Sequence, residues 1–234
     1  MKRGRSKLEG FERIRELLRR ERIEVFPIKV YEKDRDIDIV LVKEEDFYRA
    51  RDLLMKEGFW ERKTLSHLRE PLKRQFVSPN LSYILHLHRA ISWNGIVYLD
   101  AKEIWRRREE RDGIPFPSAE DELLIMAAHS LFENLGVSPE DLLYFRTLMK
   151  KKLNWEYIFS SAQEFNWKEG LSYFLKQVKK GRKYFPFWKV CKICWTKLVR
   201  DFKSGRRKRF LWEVFAYTFL LLWCYKNSRK KRKK

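Results

Sequence analysis

The chain has 234 residues and a formal net charge of +21, with 44% hydrophobic, 15% aromatic and 36% charged residues. That is enough apolar material for one large domain or two small ones, and a field of that sign attracts polyanions such as nucleotides, RNA or an anionic membrane surface. Three cysteines, an odd number, imply no disulfide framework and fit a reducing cytoplasm, and no apolar stretch follows Met1–Arg5, so no signal peptide is expected. Abundant Lys, Arg and Glu with scarce glycine are compatible with a thermophilic source.

Leu8, Phe11, Ile14, Leu17 and Leu18 recur at helical spacing and predict a helix over 8–22. Residues 23–31 and 36–42 read as strands. Residues 44–57 form an amphipathic helix stopped by Gly58, and Phe59-Trp60 opens another extended piece. Strands are expected over 74–78 and 82–88, separated by Ser78-Pro79-Asn80, and again over 96–99 after Asn94-Gly95. Residues 103–111 read as a short charged helix, and Gly113–Ser118 as a domain boundary.

Beyond that boundary only helices are predicted. One spans 120–135, opened by Ser118 and ended by Gly136, and a second opens at Ser138-Pro139. Others cover 154–165, 167–180, 186–203 and 209–226. The expected fold class is α+β: a small mixed-sheet domain over 1–112, an all-α basic helical bundle over 113–226, and a solvated basic tail over 227–234. Residues 210–225 are apolar nearly all round, but the run is shorter than the roughly 20 residues a bilayer needs and contains Glu213. It reads as a buried terminal helix, with a membrane-surface helix as the alternative because basic clusters flank it. Cys191-Lys-Ile-Cys194 lacks a second ligand pair at zinc spacing and reads as part of a buried helix.

The run Arg35-Asp-Ile-Asp-Ile-Val-Leu-Val42 carries the chemistry. In a strand Asp36 and Asp38 project to the same side, and like charges there are destabilising unless a cation neutralises them. A divalent ion, Mg²⁺ or Mn²⁺, with a nucleotide is the natural occupant. His86 and His88 also share one strand face. His129 lies mid-helix among apolar residues and reads as a hydrogen-bonded packing residue, and His67 stands alone.

With Leu53-Leu-x-x-x-Gly-Phe59, Leu85-His-Leu-His88, Ser92-Trp93, Asp121–His129 and Asn154-Trp155-Glu156, this run resembles the DNA polymerase β-type nucleotidyltransferase superfamily, over roughly residues 25–185. The resemblance implies a nucleotidyltransferase-like first domain in which Asp36 and Asp38 bind two Mg²⁺ ions that hold the triphosphate of an NTP. The expected activity is transfer of a nucleoside monophosphate to a hydroxyl acceptor. The superfamily's glycine-containing turn before the strand is missing, and Lys29, Lys33 and Arg35 are the candidates to supply charge to the phosphates. Where a third carboxylate is expected the strand carries His86, with Asp100 as the other candidate. The alternative is a catalytically degenerate chain that binds nucleotide, RNA or another polyanion through its basic helical half.

Overall fold

A computed structural model describes residues 2–30, 36–62, 71–79, 83–93 and 95–205. Lys33, Arg35, His67, the expected helix over 209–226 and the tail lie outside the described residues. In chain order the elements are α1 (Lys2–Arg20), β1 (Val25–Ile28), β2 (Asp36–Leu41), a 3₁₀ turn (Glu44–Asp46), α2 (Phe47–Lys56), β3 (Trp60–Glu61), β4 (Lys73–Val77), β5 (Ile84–His88), β6 (Ile91–Trp93) and β7 (Ile96–Leu99). They continue as α3 (Ala101–Arg107), β8 (Glu109–Arg111), β9 (Ile114–Phe116), α4 (Ala119–Phe132), α5 (Pro139–Leu148), α6 (Trp155–Glu164), α7 (Lys168–Lys179) and α8 (Phe187–Lys203).

The fold is mixed α and β, a five-stranded sheet followed by helices. The main sheet has five strands in the order β1-β2-β5-β4-β3. β2 and β5 run parallel and every other neighbouring pair antiparallel. Strand alternation sorts its side chains. Ile37, Ile39, Leu41, Leu85, Leu87 and Phe76 take one face, where Phe11, Ile14 and Leu18 of α1 and Phe47, Ala50 and Leu54 of α2 cover them. Phe26, Ile28 and Val40 take the other face and pack into the helical half, around α4. From Leu123 to Phe132, α4 is buried on all sides, which is how a helix at the centre of a core reads.

The β6–β7 hairpin turns through Gly95, whose φ of +73° is left-handed. Tyr98 on β7 stacks on Phe132 of α4 with ring centroids 4.4 Å apart, and Trp167 Nε1 donates to the Tyr98 carbonyl at 3.0 Å. These contacts tie the hairpin to both α4 and the start of α7. Among the described residues no helix is long and apolar enough to cross a membrane.

One expectation is corrected. The charged helix expected over 103–111 ends at Arg107, and Glu109–Arg111 is instead a strand paired with Ile114–Phe116. Asp112 and Gly113 both hold positive φ, the geometry of a tight hairpin turn that an Asp-Gly pair favours. Residues 113–118 contain β9, which packs beside β1, and its Ile114 and Phe116 join the core on the sheet face covered by α1 and α2. Cys191 and Cys194 lie in α8, Cys194 buried, as expected of helix residues.

Candidate active site

The parallel pairing of β2 with β5 sets Asp38 opposite His86 and Val40 opposite His88. Alternation therefore puts Asp36, Asp38, His86 and His88 on one face of the sheet. Asp38 is buried, whereas the Asp36 side chain is 33% exposed. Lys29 follows β1 directly, in a left-handed conformation with φ +55° that is uncommon for a lysine. It places Nζ 3.2 Å from Asp38 Oδ2. The other oxygen, Oδ1, lies 3.1 Å from His86 Nδ1 and 2.8 Å from His88 Nε2. An ionised carboxylate only accepts, so both imidazoles donate to it. The second ring nitrogen of His86, Nε2, faces Asp36 Oδ2 at 3.8 Å.

These contacts decide the protonation states. Burial alone pushes the Asp38 carboxyl up, but the Lys29 ammonium and the two imidazole donors outweigh it and hold the group well below the usual carboxylate range. Burial wins at His88, lowering it to about 4 despite the Asp38 carboxylate beside it. The centre at neutral pH is thus an ionised aspartate among an ammonium and a neutral His88.

Asp36, Asp38, His86, Lys29 and Lys73 form the sheet wall of a cavity of about 400 Å³. The opposite wall is His129, Glu133 and Asn134, at the end of α4 and just beyond it, with Ser138, Glu140 and Asp141 at the start of α5. His129 Nε2 and Glu133 Oε2 are 3.1 Å apart, one helical turn from each other. Burial raises Glu133, but His129, Lys73 and Lys29 together hold it below the ordinary range. Ser138 and Asp141 form a reciprocal capping box at the N-terminus of α5. Asn134 and Glu140 complete that wall.

Of the residues read from sequence, the structure brings together Asp36, Asp38, His86 and Lys29, and it adds His88, Lys73, His129 and Glu133. Asp100 is placed elsewhere. It N-caps α3, accepting from the Lys102 amide at 2.8 Å, and lines a different and larger cavity of about 790 Å³ between α3 and α6. That cavity is the roomier of the two, but the buried charges and imidazoles converge on the smaller one, so the smaller one is the candidate site. His129, expected as a packing residue, does pack, with its ring centroid 5.7 Å from that of Trp93, and it also faces the cavity. The i, i+4 spacing of His129 and Glu133 was the available signal for that wall. Lys73 carried no signal, because only the β4–β5 register brings it beside His88.

Asp38, His86 and His88 offer ligand atoms that all lie within 4.8 Å of one another, a group able to hold a metal ion. The family model described as an uncharacterised nucleotidyltransferase matches residues 34–180, from just before β2 through α7, and so takes in both walls of this cavity. No curated protein matches the chain.

Proposed function

This chain belongs to the uncharacterised nucleotidyltransferase family, and from that premise we propose that it transfers a nucleoside monophosphate from an NTP to a hydroxyl acceptor, using a divalent cation held at Asp36 and Asp38. One observation carries the reading: two same-face carboxylates border a cavity whose walls also carry the largely buried side chains of Lys29 and Lys73. The donor set fits a divalent ion. Carboxylate oxygens suit Mg²⁺ and Mn²⁺ alike, and the neighbouring imidazoles favour Mn²⁺. When bound, the ion neutralises charge on the triphosphate and acidifies the acceptor hydroxyl.

The chain's own residues do the rest. Asp36, the exposed member of the pair, reaches into the cavity where a phosphate-bound ion arrives. Lys29 and Lys73 present ammonium groups to the triphosphate as point charges. Lys33 and Arg35 are further candidates for that role. His86 stands between the two aspartates and takes the place of a third carboxylate, fixing their orientation. Glu133, kept ionised on the opposite wall, is placed to accept a hydrogen bond from the acceptor hydroxyl.

The test is calorimetric titration of ATP, GTP, CTP and UTP with Mg²⁺, with Mn²⁺ and with EDTA, in the native chain and in Asp36→Ala. Metal-dependent binding that disappears in the variant supports the proposal. A second reading, a nucleotide- or RNA-binding protein without turnover, is favoured by the Lys29–Asp38 pair, since an internal ammonium already does part of a cation's work. It predicts binding indifferent to EDTA and to Asp36, and steeply dependent on salt.

A further inference from the structure

The Asp38, His86 and His88 cluster is built differently from a site for a hard ion. Two of its three donors are imidazole nitrogens, and all three residues are buried. Neighbouring ligand atoms around an octahedral ion with bonds of about 2.1 Å are about 3.0 Å apart. Here Oδ1 of Asp38 lies 3.1 Å from His86 Nδ1 and 2.8 Å from His88 Nε2, one on either side of that edge length. The other carboxylate oxygen is turned to Lys29, so the ammonium and an ion on Oδ1 need not share an atom. His86, with Nδ1 toward Asp38, has its opposite nitrogen facing the Asp36 carboxylate. Metal-bound histidines recurrently have an outer carboxylate on the second ring nitrogen, which fixes the tautomer and strengthens the ligand.

We propose that Asp38, His86 and His88 hold a resident first-row transition ion, of the Mn²⁺, Co²⁺ or Zn²⁺ class, in a one-carboxylate, two-imidazole site, in addition to the ion that enters with the NTP at Asp36 and Asp38. The inference rests on the proposed nucleotidyl-transfer reading only for the second ion; the resident site stands on its own geometry. Imidazole nitrogen selects against Mg²⁺, whereas Asp36, a carboxylate open to the cavity, does not. The centre then pairs one borderline-soft ion, fixed in the protein, with one hard ion carried on phosphate, and Asp36 serves both by orienting His86 and by meeting the incoming ion.

The experiment is a Co²⁺ titration of the full, chelator-stripped chain in the absence of nucleotide, followed by visible ligand-field absorption, with Mg²⁺ and Zn²⁺ as competitors. The site predicts one Co²⁺ per chain, displaced by Zn²⁺ and retained in a large excess of Mg²⁺. His88→Gln and His86→Gln each weaken binding about tenfold or more and alter the ligand-field spectrum, while Asp36→Ala, which removes only the outer carboxylate on His86, weakens binding but keeps the spectrum of the Asp38, His86 and His88 set. Should His88→Gln fail to fold, by circular dichroism, His86→Gln decides, since that ring lines the cavity. No Co²⁺ binding by the folded native chain overturns the proposal and leaves a buried aspartate simply hydrogen-bonded by two imidazoles. Equal displacement by Mg²⁺, or unchanged binding in His86→Gln, overturns it as well. Co²⁺ binding in a chain that binds no NTP keeps this site and removes the nucleotidyl-transfer reading, and Mg²⁺-dependent NTP binding in a chain that binds no Co²⁺ does the reverse.

Discussion

The two aspartates of the Asp-x-Asp strand are chemically equivalent in sequence and unequal in the fold. Asp38 is buried against Lys29, whose side chain is 8% exposed, whereas Asp36 is a third exposed and, among the described residues, its ion-pair contact is the 3.8 Å one to His86. Removing one member of a buried ion pair costs about 3–5 kcal/mol, because the remaining charge stays desolvated. Asp38→Ala is therefore expected to lower stability by that amount, a fall in thermal midpoint of roughly 10 °C for a chain of this size. Asp36→Ala should stay within about 0.5 kcal/mol of the native chain. The assay is urea unfolding followed by tryptophan fluorescence and far-ultraviolet circular dichroism, at pH 7.5 with EDTA so that metal binding adds nothing. Lys29→Met in the Asp38→Ala background should recover much of the loss, a coupling that a double-mutant cycle reads directly. If Asp38→Ala unfolds at the same urea concentration as Asp36→Ala, the Lys29 contact contributes nothing and the argument for a charge-balanced buried centre fails. It follows that Asp36→Ala is the clean probe of function, and that Asp38 variants confound activity with folding.

Acid should weaken the fold before the carboxylates titrate. His88 is neutral in the folded chain down to about pH 4, while in the unfolded chain it takes a proton near its ordinary 6.5. Stability is thus fully present above pH 6.5 and falls as pH drops toward 4, by up to about 3 kcal/mol from this group, with Asp38 adding a further loss below its ordinary range. Urea midpoints at pH 7.5, 6 and 5 should decline in the native chain and decline less in His88→Gln. Gly170 on α7 sets a second test: a Cβ there meets Ile193, Leu131 and Phe132 side-chain atoms at 3.0, 3.1 and 3.2 Å. Alanine gains about 1 kcal/mol of helix propensity but overpacks at a cost of about 1–3 kcal/mol, so Gly170→Ala should destabilise, and a rise in its thermal midpoint would show that α4 and α8 give way. Tyr157 donates to the fully buried Asp121 at 2.6 Å beneath the Arg107 guanidinium. Tyr157→Phe should cost about 1–3 kcal/mol in the same unfolding assay, and a neutral outcome would mean that Ser118 and Arg107 satisfy that carboxylate unaided.

What the sequence made legible was local. Asp36 and Asp38 announce themselves because a strand has period two, and a pair of like charges at i, i+2 in an apolar run has no packing reason to exist. Ser138-Pro139 and Gly58 mark real helix ends because capping is chemistry between near neighbours. Asp112-Gly113 is equally local, but the charged residues before it carry a helical pattern that hides its hairpin. The site's other half was out of reach for a different reason. Lys29 meets Asp38 only through a left-handed backbone that a lysine rarely adopts, Lys73 arrives through strand register, and Glu133 depends on how α4 crosses the sheet. None of these is a property of a short window. The family resemblance located the strand, and tertiary packing chose the partners.

The most direct test of the central claim is NTP binding by calorimetry in the native chain and in Asp36→Ala, with Mn²⁺ or Mg²⁺ and then with EDTA. The account predicts binding that needs the metal and vanishes in a variant that folds as stably as the native chain. Binding that persists in EDTA and in Asp36→Ala would contradict it, and would make the basic surface, rather than the two aspartates, the seat of whatever polyanion this chain recognises.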